Sequence, residues 1–129
     1  MPSINFTVFV DKVEQGIKRC SIRAGHRFKV GDTLYLYTGM RTKACRKLFI
    51  TTCTSVTDIL IDRVYDEAEG DLEGFDVYLG EEKLDWDEVN GLARRDGFDH
   101  GADMIAYFQP RTPFDGQLVE WAFPGKEAA

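Results

Sequence analysis

Lys18, Arg19, Ser21 and Arg23 crowd into the run Gly16-Ile17-Lys18-Arg19-Cys20-Ser21-Ile22-Arg23. An ammonium, two guanidiniums and a hydroxyl at this spacing suit an anionic or carbonyl-rich ligand, since guanidinium groups bond such oxygens in pairs. Cations continue through Arg27, Lys29, Arg41, Lys43, Arg46 and Lys47, so residues 16–47 carry net +8 against Asp32 alone, while the rest of the chain sums to −14. A chain of net charge −6 repels polyanions at distances beyond about 8 Å in physiological salt. The block therefore points to a local basic cleft for a small or single-stranded anionic ligand, with long duplexes disfavoured. Arg41 and Lys43 fall in a Gly39-Met40-Arg41-Thr42-Lys43 turn that could track phosphates from a hairpin tip or could be only a solvated basic turn.

The elements that position these groups follow from periodicity. Residues 4–10 alternate as a strand, with Ile4, Phe6, Val8 and Val10 on one face and Asn5, Thr7 and Phe9 on the other. Asp11 and Glu14 have the spacing of a capping box for a short helix, which Gly16 is placed to end in a left-handed conformation. In the strand that follows, alternation puts Cys20 and Ile22 toward the core and Arg19, Ser21 and Arg23 toward a cleft. Val30-Gly31-Asp32 is a tight turn into a strand over 33–38, where Tyr35 and Tyr37 could stack on a base but are more commonly sheet-face packing.

Residues 46–62, rich in β-branched and aromatic types, cover two strands or one long bent strand. The acidic, glycine-containing stretch 66–76 is expected as a surface excursion. Trp86, Val89, Leu92 and Ala93 recur at helical spacing up to Asp96-Gly97, a second helix is expected over 102–108, and residues 117–123 alternate as a last strand.

With 129 residues and 43% hydrophobic content, the chain fits one domain with its own core, about residues 4–122, and a tail over 124–129. Cys20, Cys45 and Cys53 form no C-x-x-C unit and cannot all pair, which favours a reducing, cytoplasmic setting. No apolar run approaches the roughly 18 residues of a membrane span, so a membrane partner is not expected. His26 and His100 lack partners at ligand spacing, and neither a metal nor a cofactor is expected.

Gly16-x-Lys18-x-x-Ser21-x-Arg23 after a strand and short helix, followed by Gly31-Asp32-Thr33-Leu34, resembles the signature of the ASCH domain family, a branch of the PUA-like barrels. Ala93-Arg94-Arg95-Asp96-Gly97-Phe98 is similar to that family's A-x-x-E-G-F segment, and residues 104–108 and 117–121 to its closing helix and strand. The resemblance covers nearly the whole chain. It implies an α+β, β-rich fold: a small curled barrel of mixed, mostly antiparallel strands with short flanking helices. It also implies binding of RNA or a modified nucleobase or nucleoside, in a cleft lined by Lys18, Ser21 and Arg23. Within the family, one branch hydrolyses the amide of N4-acetylcytidine with a lysine, a threonine and a glutamate, and another member is a ribonuclease on single-stranded RNA.

Carried onto this chain, the hydrolase roles fall on Lys18, Ser21 and Asp96. Ser21 would attack the carbonyl and Lys18 would take its proton, a serine–lysine variant of nucleophilic catalysis. Serine here replaces the family's threonine, and aspartate its glutamate. A third reading is a protein-interaction module that uses the acidic stretch and the helix from Trp86.

Overall fold

The structure is a computed structural model and describes residues 2–124; the expected tail lies, from residue 125 on, outside the described residues. The chain runs β1 (Ser3–Phe6), α1 (Val10–Glu14), β2 (Cys20–Ala24), β3 (Thr33–Thr38), β4 (Arg46–Tyr65), β5 (Leu72–Leu79), β6 (Glu82–Lys83), α2 (Trp86–Arg95), α3 (Gly101–Phe108), a short 3-10 turn (Gln109–Arg111) and β7 (Phe114–Trp121). It is a mixed α+β, strand-rich fold.

β4 is the spine of one seven-stranded sheet. Its first part pairs antiparallel with β3, from Arg46↔Thr38 to Thr52↔Thr33. Its later part pairs with β7 along one edge, Cys53↔Trp121 to Ile61↔Phe114, and with β5 over Ile59↔Leu79 to Tyr65↔Leu72. β1 adds in parallel to β3, and β2 pairs antiparallel with β7. The pairing is thus mixed and mostly antiparallel, as expected. Among the described residues no ladder joins β1 to β2, so the sheet is not closed into a barrel.

Two apolar clusters flank this sheet. One gathers Ile22, Ile59, Ile61 and Leu118 against Val89, Leu92 and Ala93 of α2 and Met104 and Phe108 of α3. The other gathers Ile4, Phe6, Val13, Leu34, Leu36, Val119 and Trp121. β2 and β7 lie between them: Ile22 pairs with Leu118 of the first cluster, and Ser21 with Val119 of the second. That is why Cys20, Ser21 and Ile22 are all buried, where simple alternation expects one open face. Each large apolar side chain enclosed this way contributes about 1.5–3 kcal/mol.

Several sequence expectations need correction. The first strand stops at Phe6 because the chain turns and Phe9 adopts a left-handed conformation, φ 59°, which directs its ring away from the strand. Phe9, not Asp11, is the N-cap of α1, with no side-chain cap; Asp11 is already inside the first turn. Gly16 does follow the helix at φ 76°. Residues 46–62 form part of one strand of 20 residues, and the acidic excursion ends at Asp71, since β5 begins at Leu72. The last strand starts three residues early, at Phe114, and ends at Trp121.

Candidate functional site

α2 is the element that delivers Asp96. Asp85 caps it with a full capping box through Glu88, an arrangement that stabilises by about 0.5–2 kcal/mol. Its buried Val89, Leu92 and Ala93 fix its orientation against the sheet. The helix ends in a Schellman motif: Phe98 N–H donates to Ala93 O (2.8 Å) and Gly97 N–H to Arg94 O (3.1 Å). Gly97 takes φ 106°, and a Cβ there would stand 2.8 Å from the Phe9 ring. So the Asp96-Gly97 turn is both an ordinary helix stop and the support of a carboxylate.

That carboxylate meets Lys18. The Lys18 ammonium is ion-paired with Asp96 Oδ1 and also donates to the Asp96 carbonyl oxygen at 2.7 Å. Both side chains are almost fully enclosed, at 4% and 6% exposure. Lys12 donates to the next carbonyl, Gly97 O, at 2.7 Å. Two lysines thus satisfy the negative end of α2, which helix-end electrostatics favours. Burial pushes the Asp96 carboxyl up from its usual range, while the charge and hydrogen bond of Lys18 and the charge of Arg23 pull it down.

Ser21 and Arg23 project from β2 beside this pair. Arg23 Nε donates to Ser21 Oγ at 2.7 Å, and the Arg23 guanidinium carbon stands 5.0 Å from the Phe6 ring centroid. Lys18 Nζ lies 5.9 Å from the centroids of Phe6 and Phe9, and no hydrogen bond joins it to Ser21 Oγ. Gly116 sets the β2–β7 approach here, since a Cβ on it would be 2.1 Å from Arg23 O.

These groups line one cavity of about 240 Å³. Its floor holds Lys18, Ser21, Arg23 and Asp96, and its walls are Phe6, Phe9, Phe98, Tyr107 and Phe114. That volume is below the roughly 300–1,000 Å³ of clefts for drug-sized ligands, and fits one planar base or a nucleoside. Phe9, Phe98 and Tyr107, which are not buried, offer ring surface for stacking.

The other expected ligand residues are elsewhere. Arg19 lines a separate cavity with Ile17, Cys20, Thr54, Arg95, Glu120 and Trp121, because it precedes β2 and its Nε turns back to Gly16 O at 2.7 Å. Arg41 and Lys43 are exposed on the turn between β3 and β4 and line neither cavity. Tyr35 and Tyr37 are half-buried on β3 and also line neither. The five basic residues expected at the ligand, Lys18, Arg19, Arg23, Arg41 and Lys43, thus divide between three places.

Sequence reasoning missed Asn5, Phe9, Tyr107 and Arg111 as cavity residues. The Asn5 side chain is oriented by the Met40 N–H, which donates to its Oδ1 at 3.0 Å. Arg111 stands 5.0 Å from the Tyr107 ring centroid at the end of α3. Phe98 and Tyr107 lie inside the segments 93–98 and 104–108 that carry the resemblance, but nothing in the chain marked either as a cavity residue. The Arg111 and Tyr107 contribution depends on how α3 packs on α2, which periodicity alone does not specify.

His26 also acquires partners that spacing did not reveal. Its Nδ1 lies 3.0 Å from Asp58 Oδ1 and its Nε2 3.0 Å from Asp115 Oδ1, so the ring bridges β4 and β7. The two hydrogen bonds raise its pKa above the usual 6.5. Among the described residues no helix is long and apolar enough to cross a membrane, and no cluster of three or more His, Cys, Asp or Glu side chains is arranged to hold a metal. No family model matches the chain, and no curated protein or solved structure matches it.

Proposed function

We propose that this chain is an ASCH-type, PUA-like domain whose sheet curls toward a barrel, and that it binds a modified nucleobase or nucleoside in the Lys18–Ser21–Arg23–Asp96 cavity. The observation that carries this reading is the convergence of those four polar side chains, from a loop, a strand and a helix end, on one aromatic-walled space. A base would stack on the Phe98 or Tyr107 ring and present its carbonyls to Arg23. The cavity admits one base, whereas the exposed Arg41 and Lys43 turn stands outside its walls. This favours a single nucleoside over a strand of RNA.

A second reading, hydrolysis of an amide on an exocyclic amine as in N4-acetylcytidine, gains from one observation: Asp96 reaches Lys18 beside Ser21. Ser21 Oγ would bond to the acyl carbon while the C–N bond breaks and the freed amine takes, through Lys18, the proton that Ser21 loses. Water would then cleave the acyl-serine ester, releasing the acid and regenerating Ser21. Lys18 must be neutral to accept the Ser21 proton. Asp96, whose carboxyl burial already pushes up, is the group beside it that can hold the displaced proton. Arg23, donating to Ser21 Oγ, would stabilise negative charge as it develops there.

Calorimetric titration with nucleosides, together with chromatography of N4-acetylcytidine and labelled single-stranded RNA after incubation, tests both readings. Binding that weakens at least about tenfold in Arg23→Ala supports the first, since a hydrogen bond to a charged group contributes about 1.5–3 kcal/mol. Release of acetate that disappears in Ser21→Ala supports the second. Absence of nucleoside binding by the wild-type chain overturns the proposal.

A further inference from the structure

The cavity holds more positive than negative charge, and among the described residues the surplus has no ion-pair partner. Lys18 and Asp96 offset one another. Arg23 and Arg111 remain, and among the described residues neither forms an ion pair with a carboxylate. Arg23 spends Nε on Ser21 Oγ, which leaves its terminal nitrogens without hydrogen-bond partners. Burial pulls its guanidinium down from its ordinary pKa, and the Asp96 charge is the largest influence opposing that shift. Arg111, exposed on the turn after α3, is held 5.0 Å from the Tyr107 ring centroid, where its charge borders the same cavity.

A half-buried guanidinium without an ion-pair partner, such as Arg23, is partly stripped of water, and a ligand that brings an anion offsets that loss. Two planar forks of N–H donors match the several oxygens of a phosphate better than a single carbonyl does. We infer that the ligand is a free nucleoside monophosphate, its base between the aromatic walls with a carbonyl on one terminal nitrogen of Arg23, and its phosphate held by Arg111 and the other terminal nitrogen of Arg23. This rests on the nucleoside-binding reading above and adds the phosphate to it. A strand of RNA could bring the same phosphate chemistry. The cavity volume of about 240 Å³, the net charge of −6 and the position of Arg41 and Lys43 outside the cavity favour the mononucleotide.

The test is calorimetric titration of the full chain with a panel of the four common nucleosides and N4-acetylcytidine, each with its 5′-monophosphate, and with a short single-stranded RNA. For the nucleoside that binds, the monophosphate should bind at least about tenfold tighter. Arg111→Gln should bring that ratio close to one, while the double variant Arg41→Gln, Lys43→Gln should preserve it. Equal affinity for nucleoside and monophosphate overturns the phosphate assignment and leaves nucleoside binding standing. Collapse of the ratio in the Arg41, Lys43 variant moves the phosphate to the hairpin turn and overturns the role of Arg111. RNA binding tighter than any mononucleotide overturns the choice of a free nucleotide. Absence of binding across the panel removes both this inference and the reading it rests on.

Discussion

Lys18 and Asp96, 78 residues apart, define the site through one enclosed ion pair. Removing a single partner strands the other charge away from water, so Lys18→Met should destabilise the fold by about 3–5 kcal/mol. The double variant Lys18→Met, Asp96→Leu should recover most of that loss. Urea denaturation of the two variants checks this, and equal destabilisation in both would show that the pair is not the origin of the effect. At this scale the chain was partly legible. Lys18, Ser21 and Arg23 stand within six residues, and Asp96 sits at a recognisable helix stop, so their residue types and spacing pointed to one site. Arg19 misled because strand alternation was extended one residue before β2 begins. Asn5, Tyr107 and Arg111 were hidden because each reaches the cavity through tertiary packing.

At the level of elements, the β2–β7 pairing holds Ser21 and Arg23 in place, and it tolerates no side chain at Gly116. Gly116→Ala would force a carbon against Arg23 O, where overpacking costs about 1–3 kcal/mol, and should weaken nucleoside binding as well as stability. Thermal unfolding and titration calorimetry on the same variant read both effects. The loop after β2 is tied down by His26 between Asp58 and Asp115. Only the imidazolium can donate from both ring nitrogens. Since the folded pKa of His26 is raised above 6.5, the clasp's contribution is complete below pH 6.5 and is lost as pH rises through the raised value. NMR titration of the His26 ring should show a midpoint above 6.5 that falls in Asp58→Asn and Asp115→Asn. The strand over 33–38 and the helix from Trp86 followed from simple periodicity. The early end of β1 did not, because Phe9 leaves the strand to pack on Gly97 and on Phe98, 4.9 Å between ring centroids. Nor did the start of β5, where acidic residues and glycine mask a paired strand.

For the whole molecule, charge separates the proposed nucleoside site from a general nucleic-acid surface. A chain of net charge −6 whose cavity residues are confined to one small space should release few counter-ions on binding. Nucleoside affinity should change less than about threefold between about 50 and 200 mM salt, whereas a protein that grips many phosphates loses about 10³-fold or more over that range. The strand-rich character was legible from β-branched runs and the mostly antiparallel pairing from the order of elements, but barrel closure was not, because it depends on whether β1 and β2 find each other across the fold. The most direct measurement is a two-dimensional NMR titration of the labelled chain with the nucleoside panel. Saturable shifts are expected at Ser21, Arg23, Asp96, Phe98 and Tyr107, while Arg41 and Lys43 stay unmoved. Shifts confined to the Arg41–Lys43 turn, or none with any nucleoside, would contradict a base-binding cavity.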